Sequence, residues 1–156
     1  MQSHDDMPDD SLAPRATRHS LPMSLLRARE AMMSHFRPML DRHGVNEQQW
    51  RVIRVLAEAG QLDASEVAER ANILAPSLTR MIKTMAERGL IEMARDAGDG
   101  RRVMLTIAPA GIALLRAVSP DSAQIYADLE ARFGRENVAV LIELLDALSA
   151  LKAQPD

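Results

Sequence analysis

A chain of 156 residues, 47% hydrophobic and 26% charged, has apolar material for one domain with helical extensions. It has no cysteine, which excludes disulfides, thiolate metal sites and thiol nucleophiles, and its four histidines (His4, His19, His35, His43) lack metal-ligand spacing, so neither a metal nor another cofactor is expected. The net charge of −3 argues against indiscriminate coating of nucleic acid, yet Arg70 to Arg102 holds seven basic against four acidic residues, a local +3 that leaves −6 for the rest.

Residues 1–19 mix Asp, Pro and Ser without an apolar core and read as a disordered leader, not a signal peptide. No run approaches the roughly 18 apolar residues of a membrane span, so a cytoplasmic location and no membrane partner are expected. From Leu21 to Arg42, Leu26, Met33, Phe36 and Leu40 fall at helical spacing after a Ser20-Leu21-Pro22 start; Pro38 predicts a kink and His43-Gly44 a stop. Asn46 caps a second helix with Trp50, Ile53 and Leu56 on one face, ended by Gly60. Leu62-Asp63 is long enough only for a bridge-like strand.

Two short helical patterns follow, "ASEVAERAN" and "APSLTRMIKTMAERG", joined at Asn72-Ile73-Leu74, with Val67, Ala68, Ala71, Leu78, Met81, Ile82 and Met85 inward. That is a helix-turn-helix in outline. "LIEMAR" and "VMLTIA" flank "DAGDGR" as a hairpin, which after a helix-turn-helix reads as a wing, with Gly98 and Gly100 supplying backbone freedom at its tip. From Pro109 a long helical pattern resumes, interrupted at Ser119-Pro120, and Gly134 separates it from "ENVAVLIELLDALSALKA". This last helix is apolar around most of its circumference and needs cover from several sides, which predicts a homodimer built from the first and last helices.

The fold expected is mainly α with a small β-wing: a winged helix-turn-helix domain plus N- and C-terminal dimerisation helices. Residues 20–59 form the N-terminal helices for dimerisation and a ligand cleft, 60–108 the DNA-binding lobe, and 109–156 the C-terminal dimerisation helices. On the second helix of the pair, Ser77, Thr79, Arg80, Lys83 and Thr84 face outward near the N-terminal half, where a recognition helix enters a major groove. Pro76 suits the first helical turn, whose open N–H groups favour a phosphate. A merely solvated polar face is the alternative for these residues, and an exposed turn with incidental charge the alternative for the tip.

Taken together, "EVAERANILAPSLTRMIKTMAERGLIEMARDAGDGRR", the following "LTIAPAG" and the helix restart at Gly111 resemble the MarR-type winged helix-turn-helix transcription regulators. The resemblance covers Leu21 to about Ala153. The first two helices look most like the subgroup that represses operons for catabolism of aromatic acids such as homoprotocatechuate, with repressors of hydroxynicotinate breakdown as another neighbour. The resemblance implies double-stranded DNA and a second copy of the chain as partners. It makes Arg101 the residue inserted into a minor groove, its guanidinium held by a salt bridge from Asp99. Arg102 points to the opposite face as a phosphate or structural contact, and Arg95 at the hairpin base neutralises a phosphate. The sequence departs from the family at Ala108, where a capping Thr is usual, at a cost of about 1 kcal/mol.

In the stripe Leu26, Arg29, Met33, Phe36, Leu40, the arginine stands at a core position and needs a carboxylate. One reading pairs it with Glu30 of the partner chain or Asp146. The other makes it the receptor for a small aromatic carboxylic acid, with His35, Met33 and Trp50 as further ligand contacts. The function expected is a ligand-responsive repressor that binds a pseudo-palindromic operator as a homodimer and is released by a hydroxyphenylacetate- or hydroxynicotinate-type acid. Two alternatives are a helical dimerisation protein without DNA binding and a DNA-binding activator with no effector. No nucleophile motif or phosphate loop points to an enzyme.

Overall fold

The computed structural model describes residues 19–152, so the leader expected over 1–19 lies outside the described residues apart from His19. In chain order the elements are α1 (Leu21–Arg42), α2 (Glu47–Ala59), β1 (Gln61–Asp63), α3 (Ala64–Ala71), α4 (Ala75–Glu87), β2 (Ile91–Arg95), β3 (Val103–Ile107), α5 (Pro109–Phe133) and α6 (Arg135–Ser149). The chain divides into two compact units, one ending at Phe36 within α1 and the other starting at Arg37. No helix among the described residues is long and apolar enough to cross a membrane.

In the first unit Leu21, Leu25 and Leu26 are exposed. Arg29 is also exposed and sits 3.5 Å from Glu30 of its own chain, so within the single chain it does not stand in the core.

The second unit carries the folded core. Two capping boxes fix where its helices begin. Asn46 accepts from the Gln49 backbone N–H at 2.8 Å while the Gln49 side chain accepts from the Asn46 N–H at 3.1 Å. Asp63 and Glu66 do the same for α3, at 2.8 and 2.9 Å. Each box satisfies two N–H groups that helix geometry leaves open. Asn72 closes α3 in a left-handed conformation, φ 53°, which turns the chain into α4. Val52, Ile53 and Leu56 of α2, Val67 of α3, Leu78 and Met85 of α4 and Leu105 of β3 are almost wholly buried. Met81, expected inward, is only half-buried, while Ile82, also expected inward, is in the core.

The sheet has the order β1-β3-β2, antiparallel throughout. Leu62 and Asp63 belong to a three-residue strand whose ladder runs from Gln61↔Thr106 to Asp63↔Met104, more than a bridge. β2 and β3 pair over five residues, Ile91↔Ile107 to Arg95↔Val103. Ala108 caps α5 without a side-chain hydrogen bond, as its residue type dictates, and Pro109 follows at the first helical position.

α5 does not break at Ser119-Pro120 but runs 25 residues through it. A proline here forfeits one backbone hydrogen bond. The fully buried Val118 anchors the adjoining turn, and the Ser119 hydroxyl donates to the Leu115 carbonyl at 2.6 Å. α1 likewise continues through Pro38.

α6 buries no residue within the chain. Val138, Leu145 and Leu148 are half-buried, whereas Val140, Ile142 and Leu144 are 53%, 52% and 63% exposed.

Candidate nucleic-acid interface and effector cleft

α4 owes its orientation to Leu78, Ile82 and Met85, which are buried and so turn the rest of the helix outward. Pro76, Thr79, Arg80, Lys83 and Thr84 are exposed, and Ser77 is half-buried. The Thr79 hydroxyl donates to the Ala75 carbonyl at 3.1 Å, which leaves its lone pairs free to accept. Arg80 and Lys83 make no ion pair among the described residues. They therefore present two uncompensated cations on the helix that follows the αL turn, the arrangement a duplex backbone requires. At the far end Arg88 donates to the Gly44 carbonyl at 2.8 Å and is structural.

The wing tip is ordered by aspartates. Asp96 accepts from the Gly98 N–H at 3.2 Å, Asp99 accepts from the Arg101 backbone N–H at 3.0 Å, and the Arg102 N–H donates to the Asp99 carbonyl at 3.0 Å. Two expectations are corrected here. Asp99 holds Arg101 through the backbone and not through its guanidinium, because an Asx-type turn reaches the near N–H before the side chain's far end. Gly98 and Gly100 do not adopt positive φ, and a Cβ at Gly100 would meet open space. The Arg101 guanidinium is exposed and unpaired among the described residues. Arg95 donates to the Gly100 carbonyl at 2.9 Å and tethers the tip from its base.

Arg102 behaves differently. Its Nη2 lies 3.1 Å from Asp63 Oδ2 and its Nη1 3.3 Å from Asp96 Oδ2. The Glu66 backbone N–H, and after it the Arg102 guanidinium, hold the Asp63 carboxyl below its ordinary value of 3.8, and Asp63 in turn pushes Arg102 up. A carboxylate lowered in the folded state stabilises at all pH above its ordinary value and loses that contribution only as pH falls through the lowered one. The pair is therefore fully charged across the neutral range.

On the opposite side of α2, a cleft of about 450 Å³ opens against α5. Trp50, Arg54, Ala57 and Glu58 line it from α2, and Leu115, Ser119, Ser122, Ala123 and Tyr126 from α5. Arg54 sits 3.3 Å from Glu58, with half its side chain exposed. Aromatic walls, small hydroxyls and one accessible guanidinium suit a planar ring bearing a carboxylate. Of the four expected ligand residues, Trp50 lines this cleft. Arg29, half-buried Met33 and exposed His35 belong to the other unit. Arg54 and Tyr126, which the sequence did not single out, line the cleft as well. The Trp50-Arg54 spacing of four, which stacks both on one helix face, was the available signal.

A helix-turn-helix with a cationic second helix, followed by a hairpin that completes a three-stranded sheet and carries an arginine at its tip, defines a winged-helix DNA-binding regulator. A family-wide sequence profile described as MarR family matches residues 43–102. The chain is 39% identical over 132 residues to the homoprotocatechuate degradative operon repressor of Escherichia coli, covering 85% of this chain and 89% of that one. Among solved structures it resembles the transcriptional regulator PA4135 (TM-score 0.82, 40% identity, 86% of this chain and 98% of that one). It also resembles NadR in complex with 4-hydroxyphenylacetate (TM-score 0.77, 36% identity, 94% and 100%). The chain belongs to the MarR family, and it is a DNA-binding transcription regulator.

Proposed function

We propose that the protein acts in the cytoplasm as a homodimeric repressor of an aromatic-acid catabolic operon and leaves its operator when a hydroxyphenylacetate-type acid fills the α2–α5 cleft. The observation that carries this reading is the convergence of Trp50, Arg54 and Tyr126 on one cleft, in a chain 36% identical to a regulator crystallised with 4-hydroxyphenylacetate. Arg54 receives the carboxylate, and Trp50 and Tyr126 bracket the ring. Arg29, Met33 and His35 are proposed as further ligand contacts, with hydroxynicotinates as a second ring class to screen. Ser77, Thr79, Arg80, Lys83 and Thr84 of α4 meet a major groove, Pro76 and Arg95 lie by phosphates, and Arg101 enters the minor groove. The division into 20–59, 60–108 and 109–156 serves as the functional map: dimerisation helices with one wall of the cleft, the DNA lobe, and dimerisation helices with the other wall.

The coupling follows from topology. α2 packs on α3 and β3, and α5 packs on α2 and β2, so a ligand wedged between α2 and α5 bears on the whole DNA-binding lobe. It releases DNA by favouring a conformation whose two recognition helices no longer match half-sites roughly 34 Å apart. Arg54→Ala is expected to raise the acid concentration needed for release by about 10- to 100-fold, the worth of a charge-assisted hydrogen bond, while leaving operator affinity in its absence unchanged. Titration of a fluorescent operator complex with 4-hydroxyphenylacetate reads both quantities; an unaltered midpoint removes Arg54 from the site.

Dimerisation has its own test. α6 leaves Val140, Ile142 and Leu144 mostly in water, and α1 does so with Leu21 and Leu26. Such faces are covered in an assembly. Leu144→Glu is expected to shift sedimentation from dimer to monomer and to abolish tight operator binding, since one half-site gives far less than two.

A further inference from the structure

Beyond Met104 the third strand of the sheet ends, because β1 pairs only with Met104, Leu105 and Thr106. The rest of the hairpin, from Arg95↔Val103 to the tip, is a two-stranded ribbon, a structure marginal in water on its own. Arg101 stands at the end of this overhang, three residues or about 10 Å from the last three-stranded position. A tilt of about 15° at the root moves it between two and three ångströms, enough to spoil groove insertion.

We propose that Arg102 is a positioning residue that sets the wing's angle to the helix-turn-helix and makes no DNA contact of its own. Its guanidinium sits at the root of the overhang. Nε and Nη2 donate to Asp63 Oδ2 at 3.3 and 3.1 Å, and Nη1 donates to Asp96 Oδ2 at 3.3 Å. Asp63 serves two structures at once. Its Oδ1 accepts from the Glu66 N–H at the start of α3, and its Oδ2 holds the wing. Asp96 divides its oxygens the same way, with Oδ1 accepting from the Gly98 N–H of the tip turn. One arginine thus joins the first turn of the helix-turn-helix to the turn that presents Arg101. Its charge is answered by two carboxylates that a phosphate would have to displace.

The proposal rests on the wing meeting DNA, and it separates from a phosphate-contact role by the sign of one variant. Asp63→Asn keeps an N-cap acceptor for α3 but loses the charge that holds Arg102. If Arg102 braces the wing, Asp63→Asn weakens operator binding. If Arg102 contacts a phosphate, removing the carboxylate frees it and strengthens binding. We expect Asp63→Asn and Arg102→Gln each to weaken operator binding about tenfold at fixed salt, the double variant to be no worse than either, and the slope of affinity against salt to stay that of wild type. Arg102→Lys, which keeps the charge and loses the fork, recovers only part of the loss. Tighter or unchanged binding by Asp63→Asn overturns the proposal. So does a salt slope for Arg102→Gln shallower by about 0.9 per wing, the signature of a lost phosphate contact. Circular dichroism and melting of each variant confirm that α3 stays capped. Wild-type affinity in Arg101→Ala would instead sink the wing reading itself.

Discussion

Replacing Gly111 by alanine is expected to lower the unfolding midpoint by roughly 10 °C, although alanine is the better helix former by about 1 kcal/mol. Gly111 lies in the first turn of α5, where the helix starts directly against the strand it follows. The Ala108 N–H donates to the Leu90 carbonyl at 3.0 Å, which draws that turn onto the chain entering β2. A Cβ at position 111 would lie 2.2 Å from the Leu90 oxygen and 2.8 Å from Ile107 Cγ1. The oxygen is backbone and already engaged, so it cannot swing aside; α5 or the wing must move. We put the net cost at about 3 kcal/mol, at the upper end for overpacking. Calorimetry at matched protein concentration checks this, and a midpoint within 2 °C of wild type would contradict the close approach. Because α5 also walls the proposed effector cleft, the variant should answer ligand poorly even where it remains folded.

The second large effect belongs to the wing. Arg101→Ala should leave sedimentation as a dimer and the melting temperature unchanged, since the guanidinium is exposed and pairs with nothing among the described residues. Operator affinity should fall by about 100-fold or more, because a dimer loses the contact twice at about 1–3 kcal/mol each. Arg80→Ala is the useful comparison. A base-edge contact relaxes sequence preference at its position, whereas loss of a groove-inserted arginine weakens binding most on operators with a narrow minor groove.

Much of the fold was legible because its signals are local. Asn46, Gly60 and the Asn72-Ile73-Leu74 junction mark helix ends by chemistry that acts within four residues. The alternating runs around "DAGDGR" mark a hairpin for the same reason. What the sequence could not show depends on distant partners. Arg102 looks like any basic residue of the tip until β1 brings Asp63 beside it, 39 positions away. Arg29 falls on an apolar stripe, but within the single chain its stem lies on a helix flank in water. Pro120 reads as a breaker, yet the buried Val118 and the length of apolar helix on both sides outweigh one missing hydrogen bond. The α2–α5 cleft has walls whose residues are 61 to 76 positions apart between Trp50 or Arg54 and Leu115 or Tyr126. Spacing along one helix cannot disclose a facing helix.

The wing tip carries the same lesson at smaller scale. Asp99 and Arg101 stand two residues apart, and the charge pair between them is the first thing their types suggest. The turn uses the shorter reach, carboxylate to backbone N–H at 3.0 Å, and so leaves the guanidinium available. An arginine without a local partner at the end of a braced ribbon suits a groove better than one already neutralised.

Release of a repressor by an aromatic acid in the α2–α5 cleft can be read in one titration. The purified protein is bound to a fluorescent duplex of its own upstream region at fixed salt, and 4-hydroxyphenylacetate, hydroxybenzoates and hydroxynicotinates are added in turn. Nanomolar-range binding is expected, with release by a ring carrying both hydroxyl and carboxylate and with Arg54→Ala shifting the release midpoint and not the affinity. Tight binding that no acid relieves would contradict it, leaving a DNA-binding regulator whose cleft serves some other chemistry.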